Sequence, residues 1–388
     1  MPPSLSFAHK NPLPSDATKP SIYLDHNAST PLAPEALAAM QPLLNEGFGN
    51  PSSGHWASSL AAEALSAARH QVAGLLGCSD DEVIFTSGGT EANNFALKGV
   101  WFDRRRQGEH VVISAVEHDA IKQPANFLRR LGAKVTVVPV DRYGRVDPDN
   151  VASAIRSDTV LISIMHANNE TGTIQPIREI AEIAKRTEIP FHTDAAQSAG
   201  KIDTKVADLG VDMMSLTAHK MYGPKGIGAL FVRRGIRIEP HNHGGGHEGG
   251  RRAGTESAPL AAGFGAVCAL TGRKSWTSVA RLRDYFWDQL RTRLADRVVL
   301  NGHPEHRVPN TLHVAFPNRV GAEILAGLEG VAAATGSACH AGCIDMSQVL
   351  IAMRVPVHIG SGAIRFSLGR SNTQDEIDRV VSRLTEIV

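Results

Sequence analysis

The sequence predicts an α/β protein built on a largely parallel β-sheet with helices on its faces. Four short apolar runs rich in β-branched residues have the composition of buried strands. They are VVISAV (111–116), VTVVPV (135–140), LISIMHA (161–167) and PFHTDAA (190–196). Between the last two runs, apolar residues recur at helical spacing from Ile177 to Ala184. A strand–helix–strand unit of this kind is typical of a parallel sheet.

Two helices carry recognisable end signals. The alanine- and leucine-rich segment 57–77 has an apolar stripe at helical spacing, and Gly77 is its expected stop signal. Near the C-terminus, Thr373 and Glu376 have the spacing of a capping box, and an apolar stripe follows them. Both segments are therefore predicted to be amphipathic helices that pack on a core.

The length of 388 residues predicts more than one folding unit. The proline-rich segment 1–20 is expected to be a flexible tail. Composition changes near residue 270, where a long and highly charged helical segment begins. We therefore predict a large domain over 21–270 and a smaller C-terminal domain over 271–388.

Composition excludes several classes of partner and compartment. A formal net charge of +1 provides no bulk attraction to nucleic acid or to an anionic membrane, so neither is expected as a partner. No apolar run approaches the roughly 20 residues that a membrane span needs. Four cysteines are too few for a disulfide framework and predict a cytoplasmic setting. The opening segment resembles neither a signal peptide nor a transit peptide.

Polar side chains follow several predicted strands at the points where those strands end. They are His118, Asn169, Asp194, Gln197 and Lys220. In open α/β sheets, ligands bind beyond the carboxyl ends of the strands, where successive strand ends converge. We therefore expect these side chains to share one crevice.

A lysine, a buried aspartate and a phosphate cradle are the groups that pyridoxal 5'-phosphate (PLP) requires. Lys220 would form a Schiff base with the aldehyde, and Asp194 would keep the pyridine nitrogen protonated. The segment TSGGTEANN lets the backbone close around a phosphate at Gly89 and begins a helix at Thr90. The combination predicts a PLP site, although a glycine-rich turn alone also fits a plain helix cap.

A series of motifs, in order along the chain, resembles the landmark segments of the cysteine desulfurases. The motifs are YLDHNAST, GNPSSGH, FTSGGTEANN, VEHDAI, HANNETG, HTDAAQSAGK, AHKMYGPKGIGALFVRR, GGGHEGGRRAGT, GSACHAG and IRFSLGR. That family belongs to the class V aminotransferase-like PLP enzymes of fold type I. The resemblance runs from about residue 22 to the C-terminus and implies a mixed, mostly parallel seven-stranded sheet with a smaller α+β domain after it.

The resemblance implies a role in cofactor binding for each of the strand-end residues. Lys220 matches the Schiff-base lysine, Asp194 the partner of the pyridine nitrogen, and Gln197 a donor to the phenolic oxygen. His118 matches an imidazole that stacks on the ring and shuttles protons. The matched phosphate ligands are Gly89, Thr90, Thr217 and His219, together with Thr255, which the family donates from the neighbouring subunit. An obligate homodimer is therefore implied.

The resemblance also implies the substrate contacts and the nucleophile. Arg365 matches the clamp for the substrate carboxylate, for which a guanidinium fork has the right geometry. Asn50 and Asn169 match further substrate and cofactor contacts. Cys339 matches the thiolate that attacks the sulfur of the bound cysteine–cofactor adduct and takes it as a persulfide, which a sulfur-acceptor protein would then receive.

The substrate stays open between two amino acids. Asp119 after His118, and His340 after Cys339, are similar to the selenocysteine lyases of the same family. We expect a cysteine desulfurase that converts L-cysteine to L-alanine for iron–sulfur cluster or other sulfur-compound biosynthesis. The alternative is a lyase that releases selenium from L-selenocysteine.

Two other readings compete with a desulfurase. Cys339, His340 and Cys343, or the histidines at 241, 243 and 247, could serve a metal-binding or sulfur-carrier protein without turnover, although C-x3-C is not the usual zinc spacing. No metal is therefore predicted. An aminotransferase or another PLP lyase on the same fold is the remaining alternative, and it would not need Cys339.

Overall fold

The computed structural model describes residues 21–271, 275–335 and 346–388. The strands are β1 (Ile22–Tyr23), β2 (Val83–Thr86), β3 (His110–Ser114), β4 (Lys134–Val138), β5 (Thr159–Ser163), β6 (Phe191–Asp194), β7 (Met213–Thr217), β8 (Gly228–Val232), β9 (Val299–Leu300), β10 (Thr311–Ala315), β11 (Val331–Ala332) and β12 (Ala363–Ser367). The helices are α1 (Pro34–Asn45), α2 (Ser59–Leu76), α3 (Gly89–Arg104), α4 (Asp119–Arg130), α5 (Pro148–Ala154), α6 (Ile177–Arg186), α7 (Val206–Leu209), α8 (Ala258–Leu270), α9 (Ser275–Leu294), α10 (Gly321–Gly327), α11 (Gln348–Ala352), α12 (Val357–Gly360) and α13 (Gln374–Ile387).

The central sheet has seven strands in the order β2-β8-β7-β6-β5-β3-β4. Only β8 runs against its neighbours, β2 and β7, while the other neighbouring pairs are parallel. The prediction of a mixed, mostly parallel seven-stranded sheet is confirmed. The four predicted strands are all present, but each ends early: β3 and β4 end at 114 and 138 instead of 116 and 140, and β5 and β6 end at 163 and 194 instead of 167 and 196. The residues beyond them continue towards a cavity at this edge of the sheet.

Helices cover both faces of the central sheet, so its inner strands are fully buried. Every residue of β3, β5, β6, β7 and β8 is buried, whereas the edge strand β4 is largely exposed. Along β8, Ala229 and Phe231 belong to one apolar cluster and Leu230 and Val232 to another. Because successive strand side chains point to opposite faces, these clusters are the two layers between sheet and helices.

The C-terminal part of the chain forms a second, smaller sheet with its own apolar core. Strands β9 and β12 flank β10, and both pair with it in the antiparallel sense. Two residues of the N-terminal segment, Ile22 and Leu24, also lie in this core, and β1 pairs with β11. The division at residue 270 stays a prediction. The packing adds that the first strand contributes to the C-terminal core.

Both predicted helix ends are confirmed. Helix α2 ends at Gly77, whose φ of 68° lies in the left-handed region where glycine has no steric cost. Helix α13 begins with the predicted capping box between Thr373 and Glu376. Within the described ranges, no helix has the length and the apolar character that a membrane crossing requires.

Candidate active site

A cavity of about 410 Å³ lies where the central strands end. It is lined by Asn27, Ala28, Gly89, Thr90, Asn93, His118, Ala120, Met165, Ala167, Asn169, Asp194, Ala196, Gln197, Thr217, His219, Lys220 and Arg365. Ten of these residues were predicted from the sequence as site residues. A larger cavity of about 630 Å³, near Lys205 and Trp276, contains none of the ten. We assign the site to the smaller cavity because the reactive side chains converge there.

The topology of the sheet brings these residues together. Asp194 and Thr217 are the last residues of the parallel neighbours β6 and β7, and His118 and Asn169 follow β3 and β5. Parallel strands present their carboxyl ends at one edge, so side chains far apart in the sequence meet in one crevice. The expectation of a shared crevice is met for all five strand-end residues.

The amine of Lys220 is buried in the cavity wall. A short 3-10 turn after β7 carries it, and its Nζ donates to the carbonyl oxygens of Asn27 and Ala28. Burial, and after it the charge of Arg365, lower the pKa of Lys220 from 10.5 to about 8, against the opposing charges of Asp194 and Asp25. About a tenth of this amine is therefore uncharged at neutral pH and able to attack a carbonyl group, far more than for a lysine in water.

Asp194 is held by neutral donors. Its Oδ2 accepts from Asn93 Nδ2 at 2.7 Å, and its Oδ1 accepts from the backbone N–H of Ala196 at 2.9 Å. These bonds orient the carboxylate without neutralising it. A carboxylate fixed in this way suits a protonated ring nitrogen in the cavity.

The amino end of α3 forms a backbone cradle. Gly88 precedes the helix with φ 150° and ψ −179°, a conformation that only glycine adopts readily. A Cβ added at Gly89 would lie 3.4 Å from the Cβ of Thr217. Any residue larger than glycine would therefore narrow the space between the start of α3 and Thr217. Free backbone N–H groups and the dipole of a 16-residue helix favour an anion here.

His219 lies beside the cradle and is neutral at ordinary pH. Burial, together with the charges of Lys220 and Lys225, lowers its pKa to about 4. Its Nδ1 is 3.3 Å from the hydroxyl oxygen of Ser29. A neutral imidazole retains one N–H donor, which is the group a phosphate oxygen can accept.

The ring of His118 is fixed by its position as the N-cap of α4. Its Nδ1 accepts from the backbone N–H of Ala120 at 3.1 Å. The Nδ1 lone pair is therefore occupied, and the neutral ring carries its N–H on Nε2.

Arg365 reaches the cavity from β12 in the C-terminal sheet. Its Nη1 donates to the carbonyl oxygen of Asn169 at 3.0 Å, and its Nη2 pairs with Asp25 at 2.6 Å. Its Nε is buried and has no partner among the described residues. The guanidinium is thus oriented by two contacts and keeps a donor for an incoming carboxylate.

Three polar residues of the site were not predicted. Asn27 accepts from Lys220 through its carbonyl oxygen, Asn93 donates to Asp194, and Asp25 pairs with Arg365. Asp25 and Asn27 lie in YLDHNAST and Asn93 lies in FTSGGTEANN, so the motifs themselves pointed at the right segments. Which polar residue of a motif faces the cavity is decided by packing.

Two predicted site residues, Asn50 and Thr255, do not line the cavity, and a third is not among the described residues. Asn50 is exposed, and its Oδ1 accepts from the backbone N–H of Ser52 at 3.0 Å. Thr255 is exposed as well, and its predicted role concerns a neighbouring subunit. Cys339, together with His340 and Cys343, lies outside the described residues. Their roles stay predictions.

The histidines considered as metal ligands do not gather into a cluster. His243 is 3.2 Å from Glu239, and His241 lies close to Lys98. Across residues 21–271, 275–335 and 346–388, no group of three or more His, Cys, Asp or Glu side chains could hold a metal ion.

Residues 22–380 match the model of the class-V aminotransferases. The cysteine desulfurase IscS of Dictyoglomus turgidum (strain DSM 6724 / Z-1310) is 46% identical over 375 residues, which cover 95% of each chain. The cysteine desulfurase IscS of Methanosarcina thermophila is 44% identical over 95% of this chain and 92% of its own. The chain belongs to the class-V aminotransferase family, among the cysteine desulfurases.

Solved structures of similar proteins agree with this membership. A NifS-like protein superposes with a TM-score of 0.87 at 35% identity over 95% of this chain and 99% of its own. A structure described as SspA in complex with cysteine superposes with a TM-score of 0.82 at 35% identity, over 91% of this chain and all of the other. The predictions of the cysteine desulfurase family, of fold type I and of a PLP cofactor are confirmed.

The residues of the cavity fit PLP on chemical grounds. A buried amine with a lowered pKa suits an aldehyde, an unpaired carboxylate suits the ring nitrogen, and a helix amino end suits the phosphate. These three groups come from separate segments of the chain and line one cavity.

Proposed function

We propose that the protein is a PLP-dependent cysteine desulfurase that converts L-cysteine to L-alanine and takes the sulfur onto Cys339 as a persulfide. The convergence of Lys220, Asp194 and Arg365 on one cavity carries the proposal. These are an amine for an aldehyde, an acid for a pyridine nitrogen and a fork for an amino-acid carboxylate. The similar proteins named cysteine desulfurases support the same activity.

The cofactor would be held by residues that the sequence motifs singled out. Lys220 would bind it covalently, Asp194 would pair with its ring nitrogen and Gln197 would donate to its phenolic oxygen. Its phosphate would rest on the α3 cradle, with Gly89, Thr90, Thr217 and His219 around it. When bound, PLP supplies an electron sink that weakens the bonds around the substrate's α-carbon and its bond to sulfur.

Arg365 would bind the carboxylate of the substrate. Its guanidinium is already oriented by Asn169 and Asp25, so little conformational entropy is lost when a carboxylate binds. A carboxylate held at this point places an amino acid with its α-carbon between Arg365 and Lys220.

Proton transfer falls to Lys220 and His118. The lowered pKa of Lys220 lets its amine accept and return a proton near neutral pH. In His118 the N–H of Ala120 occupies the Nδ1 lone pair, so the neutral ring carries its N–H on Nε2 and would donate from that one atom. Two such groups allow a proton to leave the α-carbon and another to reach the side-chain carbon.

Sulfur transfer would use the thiolate of Cys339. It attacks the substrate sulfur, so a new S–S bond forms and the C–S bond breaks. The electron pair of the C–S bond stays with the carbon, which takes a proton and becomes the methyl group of alanine. The persulfide on Cys339 then needs a sulfur acceptor, and a partner protein in iron–sulfur cluster or other sulfur-compound biosynthesis is the proposed recipient.

A homodimer is part of the proposal. Large apolar side chains are exposed in the segment from α1 to the start of α2, where a second copy would cover them. They are Leu37, Leu44, Phe48, Trp56 and Leu60. Thr255 would reach the phosphate site of the partner subunit. The low cysteine count supports the cytoplasm as the compartment.

The test supplies L-cysteine and L-selenocysteine separately and measures alanine from the wild type and from Cys339→Ala. We expect alanine from L-cysteine in the wild type and none in Cys339→Ala. Cys78→Ala is the matched control and should keep activity, because burial and nearby acidic residues raise the pKa of Cys78 to about 12.

Each alternative has its own outcome in this assay. Turnover of L-selenocysteine alone would establish the lyase, which the similar desulfurases do not favour. Activity retained in Cys339→Ala would point to another PLP reaction. A colourless wild type that is indifferent to Lys220→Ala would overturn a PLP enzyme altogether.

A further inference from the structure

Lys201 is a buried amine that the proposed mechanism leaves unused. It lies four residues after Gln197, and only 6% of it is exposed. Its Nζ donates to Gln197 Oε1 at 3.0 Å and to Asn27 Oδ1 at 3.3 Å. Both recipients line the cofactor cavity. Burying a lysine costs solvation free energy, so we asked what the contacts of Lys201 contribute to the site.

The contacts of Lys201 determine which way the Gln197 amide points. An amide oxygen accepts and an amide nitrogen donates, so the atom that receives an N–H from Lys201 must be the oxygen. The Nε2 of Gln197 then lies on the opposite side and donates to the carbonyl oxygen of Asn27 at 3.0 Å. The Nζ of Lys220 donates to that same carbonyl oxygen. The NH2 group of Gln197 is therefore next to the amine that would hold PLP.

We propose that Lys201 is a positioning residue that holds the Gln197 amide with its NH2 group towards the cofactor cavity. The inference rests on the proposed function, in which Gln197 donates to the phenolic oxygen of PLP. Without Lys201, nothing else among the described residues donates to Gln197 Oε1, and only the bond from Nε2 to the Asn27 carbonyl oxygen opposes a rotation that would place the amide oxygen towards the cavity. An oxygen there would repel the phenolic oxygen instead of binding it.

The groups around Lys201 lower its pKa in one direction. Burial is the largest cause, and the positive charges of Lys220 and Arg365 add to it, so the pKa of Lys201 lies well below its usual value. With or without its extra proton, the amine has the two N–H groups that the amide oxygens of Gln197 and Asn27 accept.

The consequence is measurable in the spectrum of bound PLP. A donor at the phenolic oxygen stabilises the deprotonated form of that oxygen. The oxygen then attracts less strongly the proton that it shares with the nitrogen bound to Lys220. The visible absorbance of the bound cofactor therefore changes at a lower pH when the donor is present. Removing the donor should raise the pH midpoint of that change.

The experiment titrates the absorbance of the PLP-loaded protein in Lys201→Met, Gln197→Leu and the double variant. Lys201→Met keeps the length of the stem and removes the donor. We expect an upward shift of roughly half to one pH unit, the effect of one hydrogen bond, in each single variant. The double variant should show the same shift as Gln197→Leu alone, since both residues act through one contact.

Two further variants serve as controls. Lys205→Met makes the same change at a lysine whose Nζ donates to the carbonyl oxygen of Gly74 at 2.6 Å, outside the cofactor cavity, and should leave the midpoint unchanged. Lys201→Gln retains an N–H donor and should return the midpoint towards the wild type. If Lys201→Met does not fold, Lys201→Leu replaces it in the same titration.

The outcomes separate this inference from the proposed function. A midpoint in Lys201→Met equal to that of the wild type would overturn it, as would additive shifts in the double variant, which mean that Lys201 acts independently of Gln197. A wild type without any cofactor absorbance would instead overturn the PLP enzyme itself. Equal, non-additive shifts establish Lys201 as the residue that orients Gln197.

Discussion

At the scale of single residues, the reactivity of Lys220 follows from where its amine is placed. Its Nζ is surrounded by carbonyl oxygens and by the positive charge of Arg365, and its pKa falls from 10.5 to about 8. Asp194 and Asp25 limit the fall. An amine in bulk water at neutral pH would be almost entirely protonated, so burial provides the nucleophile.

The pH dependence of cofactor capture should reveal this lowered pKa. Only the uncharged amine attacks the PLP aldehyde, so capture by the cofactor-free protein should accelerate as pH rises, with a midpoint at about 8. In Arg365→Gln the repulsion is gone, the pKa of Lys220 rises, and the midpoint should move to higher pH. The measurement is stopped-flow absorbance after mixing with PLP.

Arg379→Gln is the control for this titration, because Arg379 is an exposed residue of α13. It should retain the wild-type midpoint. A wild-type midpoint near 10.5, or identical profiles for Arg365→Gln and the wild type, would contradict the role of burial and charge at Lys220.

His118 should show two separable contributions. His118→Asn keeps an N-cap for α4 but removes the ring, so we expect wild-type thermal stability with a loss of roughly a hundredfold or more in kcat. His118→Ala should lose the same activity and also about 1 kcal/mol of stability, because the N–H of Ala120 is left without its acceptor. Thermal melts and alanine production measure the two effects.

The two variants of His118 control each other. Equal stability of the Asn and Ala variants would mean that the ring nitrogen does not cap the helix. Full activity in either variant would remove His118 from the catalytic residues.

At the scale of elements, a glycine in α8 lets that helix approach the backbone of α2 closely. Helix α8 lies against α1 and α2, and a Cβ at Gly265 would come within 2.7 Å of the Ala68 Cα. A backbone atom cannot yield as a side-chain end can. In contrast, a Cβ at Gly74 in α2 would meet no atom within 4 Å.

These two glycines form a matched pair for a stability test. Gly265→Ala should destabilise the protein by about 1–3 kcal/mol through overpacking. Gly74→Ala should stabilise it by about 0.5–1 kcal/mol, since alanine loses less entropy in a helix. Shifts of the urea midpoint in opposite directions are expected. A Gly265→Ala variant as stable as the wild type would show that α2 and α8 separate freely.

At the scale of the whole molecule, the cavity is completed by parts of the chain that are far apart in sequence. Arg365 on β12 pairs with Asp25 near the first strand, and Arg365 lines the cavity at the strand ends of the central sheet. The N-terminal strand joins the C-terminal core through Ile22 and Leu24. Substrate recognition and cofactor binding therefore depend on the two cores being folded together.

A dimer should depend on the exposed apolar segment between α1 and α2. Trp56 is 84% exposed and Phe48 is 77% exposed in the single chain. We expect Trp56→Glu and Phe48→Glu each to weaken dimerisation roughly tenfold or more, because large aromatic residues at interfaces carry much of the binding energy. Sedimentation velocity at several concentrations measures the change from twice the chain mass of 41.5 kDa to that mass.

Val357→Glu is the matched control, because Val357 is 69% exposed but belongs to the C-terminal part of the chain. It should leave the mass unchanged. A wild type that sediments as a single chain at all concentrations would contradict the homodimer.

How much of the site was predictable depended on the range of the contacts involved. The strand-end residues were predicted because sheet topology carries them to one edge wherever the loops lie. Asp25 and Asn27 were not, since their partners Arg365 and Lys220 lie more than 190 residues away. No local periodicity encodes such a pair, so sequence patterns indicated the segments and left the individual contacts open.

Local patterns in the sequence were enough to predict strands β3 to β6, the capping box of α13 and the glycine end of α2, because these follow from backbone preferences and apolar periodicity. The folded chain was needed to show that Arg365 is oriented by Asp25, that Lys201 lies behind Gln197, and that Asn50 and Thr255 stay outside the cavity of their own chain. Burial and charge act through space, and the space around each side chain is defined only when distant segments have packed together.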